Sequence, residues 1–318
     1  MLMGAEHEGW QGFQHTGWAS LEAVRERLDA GADPNVGWHW MPPLHDAAEN
    51  GTPEVVAELA ARVDDVDVLV DGRSALWRAV HAGKPGNAQA LLDAGADPVR
   101  PMMSGWSPAR LSLVTGNVIP SGEVLTEQER ALIADRDRMI AAIGDFPEYD
   151  GFSIACVGGI DAAEATRRLN AYVVPDDELP DLGDWYEEPF EDDTELAMGV
   201  TDVPGGCVVV QPWYFNASST DVMRRLSAGT VAYGMYANPK SGDQGSSHRD
   251  GEVVGWDLHP GGAPAEDDGT PGVLLAHLYD GEAVAYCCAY AGLRPVDNKA
   301  FTEPDRWLLL PDIDFWRS

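Results

Sequence analysis

The groups from which this chain of 318 residues could build chemistry are eight histidines, four cysteines and 53 acidic side chains, and their spacing decides what they can do. The densest knot is Ser246-Ser247-His248-Arg249-Asp250, which holds a hydroxyl, an imidazole and a carboxylate, the parts of a nucleophile, a base and an orienting group. Neighbours in one loop rarely converge on a point, and no nucleophile elbow precedes these. His248-Arg249-Asp250 also spells the catalytic-loop triplet of protein kinases, but the sequence lacks the glycine-rich loop, strand lysine and Asp-Phe-Gly that triplet works with. H-E-x-x-H, the P-loop and G-x-G-x-x-G are absent, and the glycine pairs at 158–159, 205–206 and 261–262 suit turns. Cys156, Cys207, Cys287 and Cys288 form no C-x-x-C pair and read as buried free thiols. The expectation is therefore no catalytic residue, no metal and no cofactor. The enzyme alternative rests on a site around His248, His259 and Asp250, with the rest of the chain recruiting its substrate.

Charge is the stronger signal. The net charge is −32, with 24 acidic and 11 basic residues in 1–150 and 29 and 10 in 151–318. Such a field repels nucleic-acid phosphate and anionic lipid, and favours a basic protein as partner. Between Asp176 and Glu195, 11 of 20 residues are acidic and none is basic, while Trp185, Tyr186 and Phe190 are interleaved. A solvated, self-repelling loop is one account of this strip. The other is a docking segment, with the aromatic rings as anchors and Asp176, Asp177, Glu178, Glu187, Glu188, Asp192 and Asp193 as partners for Arg or Lys, mimicking nucleic acid in a basic cleft. The ligand spacing of a calcium loop is missing.

Apolar residues make up 44% of the chain, so it folds. No apolar run approaches the roughly 20 residues of a membrane span. The first basic residue is Arg25, so the N-terminus lacks the charged start of a secretion signal, and the expected location is the cytoplasm. Arginine outnumbers lysine 18 to 3, as in GC-rich bacterial genomes.

The elements that must position these groups announce themselves by repetition. Leu28-Asp29-Ala30-Gly31-Ala32-Asp33-Pro34 returns as Leu92-Asp93-Ala94-Gly95-Ala96-Asp97-Pro98, an offset of 64, with a degraded copy at 61–65, so the period is 32. Pro42-Pro43-Leu44-His45 to Gly51 likewise aligns with Ser74-Ala75-Leu76-Trp77 to Gly83, and more faintly with Ser107 to Gly116. Each unit reads as two helices and an extended connection. Ser74 and Ser107 stand where an N-cap oxygen belongs, Pro43 and Pro108 at first helical positions, and Gly31 and Gly95 at left-handed helix ends. Leu21, Val24 and Leu28, then Val55, Val56 and Leu59, then Ala88, Leu91 and Leu92, form apolar faces that only stacking can bury.

Pro43-Leu44-His45, Gly51 through Val56, and Gly31-Ala32-Asp33-Pro34-Asn35 resemble the T-P-L-H, G-x-x-E-V-V and G-A-D-x-N segments of ankyrin repeats, over about 17–117. Pro42, Trp77, Arg110 and Val63 depart from that pattern. The resemblance implies an all-α solenoid that binds protein with its connection tips and first helices. Those tips carry Trp38, His39 and Trp40, then Val68, Leu69 and Val70, then Met102, Met103 and Trp106, apolar enough either to meet a partner or to pack on the rest of this chain. It also implies that His45 bonds neighbouring backbone rather than pairing with His39 on a metal. Trp10, Phe13 and Trp18 read as an N-terminal cap. A helix opened by the capping box Thr126-Glu127-Gln128-Glu129, with Leu132, Met139 and Ile143 inward, reads as the C-terminal cap.

The expected organisation is a capped solenoid at 1–144, a linker at 145–151 and an acidic α+β domain with an antiparallel sheet at 152–318. Strands are expected at 152–157, in a hairpin over 197–214, and at 230–237 and 252–258, the last two separated by a Gly/Ser-rich loop. Helices are expected after Asp161, carrying Ala165, Leu169 and Tyr172, after Ser219, and over 273–279 and 282–291. Gly159 through Leu169, Arg224 through Thr230, Asp250 through Val254 and Ala285 through Arg294 resemble an uncharacterised domain of actinobacterial proteins, which implies no activity. The functional expectation is a non-enzymatic interaction protein, in its sharper form a neutraliser of a basic toxin or nuclease, as immunity proteins are.

Overall fold

The computed structural model describes residues 9–13, 15–37, 41–144, 151–175, 194–262 and 269–311. Backbone contacts divide the chain into two compact units, one of residues 1–130 with 264–273 and the other of 131–263 with 274–318.

In the first unit, helices alternate as the 32-residue period requires: α1 (Leu21–Asp29), α2 (Pro43–Asn50), α3 (Pro53–Ala60), α4 (Ala75–His81), α5 (Pro85–Asp93) and α6 (Pro108–Thr115). The caps are those read from sequence. Ser74 Oγ accepts from Trp77 N at 3.2 Å and Ser107 Oγ from Arg110 N at 3.1 Å, while Gly31 and Gly95 lie at φ 95° and 93°. First helices stack on first helices, α2 on α4 on α6, and α3 packs on α5. Val55, Val56 and Leu59 of α3 are fully buried, and burying each contributes about 1.5–3 kcal/mol.

A buried amide joins successive repeats. Asn87, near the start of α5, donates from Nδ2 to the carbonyls of Ala47, Ala48 and Gly51 at 3.3, 3.0 and 3.1 Å. Ala48 O and Gly51 O lie where no further N–H of α2 follows to satisfy them, while Ala47 O also accepts from Gly51 N. At the N-terminal end, Trp10, Phe13 and Trp18 pack with ring centroids 4.6–5.4 Å apart, and Trp10 Nε1 donates to Asp33 O.

Helix α7 (Glu127–Ile143) opens on the expected capping box, with Thr126 N donating to Glu129 Oε2 at 2.7 Å and Glu129 N to Thr126 Oγ1 at 3.2 Å. Burial pushes the Glu129 carboxyl up, but hydrogen bonds from Thr126 and Arg110 outweigh it and hold the group below its ordinary range. From Ala131 onward this helix lies in the second of the two compact units. Charge anchors it there: Arg136 donates to Leu278 O at 2.6 Å, Arg138 to Pro295 O at 3.1 Å, and Asp135 takes both Arg138 and Arg294.

The second unit is built on an eight-stranded sheet, β1 (Ser153–Gly158), β2 (Tyr172–Val173), β3 (Ala197–Val203), β4 (Gly206–Gln211), β5 (Val231–Asn238), β6 (Gly242–Arg249), β7 (Glu252–Leu258) and β8 (Arg306–Leu309), in the order β2-β8-β3-β4-β1-β5-β6-β7. Every pairing is antiparallel. On one face α8 (Ala162–Leu169) and α9 (Thr220–Leu226) cover Ala155, Val157, Val200, Val209 and Ala232. On the other, α11 (Ala283–Ala291) lies on β1 and β5, and α12 (Lys299–Thr302) on β3 and β4. Helix α10 (Thr270–Leu278) precedes α11. Because helices cover both faces, β1 is buried along its whole length.

Three local expectations change. The Gly/Ser-rich segment 242–249 is a strand, not a loop: its small side chains are poor strand formers, but β5 and β7 pair with it on both sides. Tyr172 is not on the helix face, because Asn170 ends α8 in the left-handed region at φ 54° and Tyr172 starts an edge strand, 54% exposed. Ser219 opens α9, but its hydroxyl donates to Asn216 O at 2.8 Å rather than capping the helix.

Candidate functional site

Between α3 and α4 the chain reverses sharply. Val70 and Arg73 exchange backbone hydrogen bonds at 3.0 and 3.1 Å, with Asp71 and Gly72 at φ 50° and 70°. Asp-Gly is the pair that tolerates two successive positive φ angles in a two-residue turn. Just before it Val68 and Leu69 stand 42% and 37% exposed. His45 on α2 fixes this connection through Nε2 and Val68 O, 3.1 Å apart. Burial, with Arg78 adding repulsion, lowers the His45 pKa to about 4, so the ring is neutral at physiological pH. Arg78 is itself buried and pairs with Glu49 at 2.7 Å, with Asp71 at 3.9 Å. The result is an apolar tip, braced from below and flanked by carboxylates, that can make contacts but holds no nucleophile.

The next connection is built differently. Met102 N donates to Trp106 O and Gly105 N to Met102 O, closing a turn with Ser104 at φ 51°. This turns Met103 and Trp106 inward, to 2% and 0% exposure, and the Arg110 guanidinium lies 4.6 Å from the centre of the Trp106 ring. The expectation that both are exposed contact residues is corrected: the closed turn directs both side chains into the core. Met102 is half-buried. Trp38, His39 and Trp40 lie outside the described residues, as do Asp176, Asp177, Glu178, Trp185, Tyr186, Glu187, Glu188, Asp192 and Asp193.

In the second unit the suspected catalytic groups are separated. Ser246 Oγ and His248 Nε2 do approach, to 3.1 Å, because residues two apart on β6 share a face. Burial, with Arg224 adding repulsion, lowers the His248 pKa to about 4. Nδ1 of His248 is buried without a hydrogen-bond partner, so no carboxylate orients the ring. Asp250 sits in the turn beyond the far end of β6, its N–H on Thr230 O. His259 bonds through Nδ1 to Asp243 O at 3.0 Å, at the opposite end of that strand. Seven residue steps, roughly 23 Å of extended chain, separate Asp243 from Asp250. His248, His259 and Asp250 therefore make no common site. Among the described residues, no group of three or more His, Cys, Asp or Glu side chains has the placement to hold a metal ion, and no helix is long and apolar enough to cross a membrane. All four cysteines are free and buried.

The paired helices, the His45 brace and the two-residue finger turn point one way, and residues 16–102 match the family model for ankyrin repeats in three copies. Residues 16–102 are ankyrin repeats. The matched span ends before α6, which continues the stack of first helices onto α4 past the third copy. Ankyrin repeats are interaction modules, so a protein partner and a protein-binding role follow. A search of curated proteins finds no match to the chain.

Proposed function

We propose that this chain is a non-enzymatic interaction protein in which the ankyrin surface and the acidic second domain engage one basic protein, in the manner of an immunity protein that neutralises a cationic toxin or nuclease in a bacterial cytoplasm. The observation that carries the reading is the three-copy ankyrin match in a chain of net charge −32. The exposed tip Val68-Leu69 supplies an apolar contact, and the strip 176–195 supplies 11 carboxylates and three aromatic rings for a cationic cleft. Domain limits of 1–144, 145–151 and 152–318, and a second domain of the actinobacterial kind, remain part of this proposal. Separation of His248, His259 and Asp250 favours it over the enzyme alternative.

Affinity capture with the full chain at roughly 50 and 500 mM salt tests it, since screening shortens the reach of exposed charge severalfold over that range. The expected result is a basic protein whose retention collapses at high salt, and whose binding drops on deleting 176–195 or on Leu69→Asp. An acidic partner, or retention indifferent to salt, would refute the electrostatic reading.

A further inference from the structure

Among the described residues, the sheet of the second unit leaves one stretch of its α9 face uncovered. Along β5 and β6 the cross-strand pairs on that face are Ala232 with His248, Gly234 with Ser246, and Tyr236 with Gln244. Helix α9 closes over the first pair and reaches the second: a Cβ on Gly234 would lie 2.9 Å from Met223 Sδ. Beyond that, the smallest cross-strand pair on this face, Gly234 with Ser246, floors a cavity of about 490 Å³, within the range that holds ligands of drug size. Phe215, Tyr236 and Trp256 line it from three separate segments of chain. Trp256 is 65% exposed on the edge strand β7, a position where the fold gains little from an indole.

Among the described residues, the lining contains no Asp, Glu, Lys, Arg or His. A charged ligand would lose its hydration there without a counter-charge, and an anion would also meet the field of a chain at −32. Two of the polar groups, Gln244 and Ser246, can present donors. Gln244 Oε1 is already occupied by Asn238 Nδ2 at 3.1 Å, which leaves the amide nitrogen to give. The hydroxyls of Ser218 and Ser219 are spent on the carbonyls of Phe215 and Asn216. Ser246 is 4% exposed and contacts His248 Nε2, whose other ring nitrogen is buried and unpartnered. An orphaned N–H is rarer in proteins than an under-satisfied acceptor, which places the imidazole proton on Nε2, toward Ser246, and frees the Ser246 O–H to donate into the cavity. We propose that this cavity is a binding site for an uncharged, planar aromatic small molecule carrying a hydrogen-bond acceptor, with Trp256, Tyr236 and Phe215 against the ring and Ser246 and Gln244 donating to the acceptor.

The test uses the full chain and three naphthalene probes: 6-propionyl-2-dimethylaminonaphthalene, which is neutral with a carbonyl acceptor; 2-dimethylaminonaphthalene, neutral without one; and 1-anilinonaphthalene-8-sulfonate, an anion. The expected result is saturable binding of the carbonyl probe with a blue shift in emission, and affinities at least about tenfold weaker for the other two. Trp256→Ala should weaken the carbonyl probe by about tenfold, the usual worth of one aromatic contact, and its exposure means folding is not at stake. Ser246→Ala should erase the preference for the carbonyl probe, and Gln244→Trp should block all binding by filling the space. Failure of the carbonyl probe to saturate, equal binding of the sulfonate, or binding unchanged in both Trp256→Ala and Gln244→Trp at native circular dichroism would overturn the proposal.

Discussion

Asn87 is the sharpest place to test how the ankyrin repeats hold together, because one side chain from α5 satisfies the end of α2 in the repeat before. Its three hydrogen bonds are not equal. Ala47 O also accepts from Gly51 N at 2.7 Å, so that carbonyl keeps a partner when Asn87 is truncated, whereas Ala48 O and Gly51 O lose a bond in a site where Asn87 is only 2% exposed. Two acceptors left short, one buried and one partly buried, at about 1–1.5 kcal/mol each put Asn87→Ala at about 2–3 kcal/mol. Asn87→Asp keeps the shape but replaces both donors with acceptors, setting a carboxyl against three carbonyl oxygens, and should cost more than the truncation. The chain has two units and need not unfold in one step, so a global midpoint is the wrong observable. Hydrogen exchange followed by mass spectrometry reads the peptides of α2 to α5 directly. There, 2–3 kcal/mol of lost local stability means exchange faster by roughly 30- to 150-fold, with strands β1 to β6 unaffected. If Asn87→Asp exchanged no faster than Asn87→Ala, the donor role would be wrong and Asn87 would be mere filler.

Acid should destabilise both units in the same pH window. His45 and His248 have folded pKa values of about 4, below the ordinary 6.5, so the fold favours the neutral ring. That stability is complete above pH 6.5 and is lost as pH falls toward 4, because the unfolded chain takes protons the native one refuses. The loss is at most about 3 kcal/mol per histidine, and urea titrations at pH 7 and 4.5 on wild type, His45→Gln and His248→Gln should show it flatten in the variants. The thiols should be inert in the native chain. Contact with Cys288 and burial raise Cys156, while burial pushes Cys207 up to about 12 and raises Cys287. An aromatic disulfide reagent at pH 8 should therefore find nothing until urea is added and four thiols afterwards, and rapid labelling without urea would refute this.

What could be read from sequence was whatever one segment decides for itself. The 32-residue period, the serine caps of α4 and α6, the capping box at Thr126 and the left-handed glycines 31 and 95 depend on neighbours three or four positions away, and all stand in the structure where they were expected. The antiparallel α+β character of the second unit was legible for a similar reason, through hairpin spacing. Where partners distant in sequence decide, composition misled. Residues 242–249 read as loop by their glycines and serines, yet β5 and β7 supply hydrogen bonds on both sides, and a paired backbone outweighs weak side-chain propensity. Met103 and Trp106 read as exposed because they sit on a connection tip, but a turn closed by two backbone bonds delivers them to the interior. Asn87 left no signal at all, since its partners lie 36–40 residues away. The triplet His248-Arg249-Asp250 spells a kinase signature without that signature's companion motifs. Only the strand period could show that His248 shares a face with Ser246 while Asp250 passes into the turn. Sequence alone thus determined that this is an acidic chain opening on a repeat array. Packing decided which of its apolar and polar groups reach a surface, because exposure is a property of neighbours that the chain brings together only on folding.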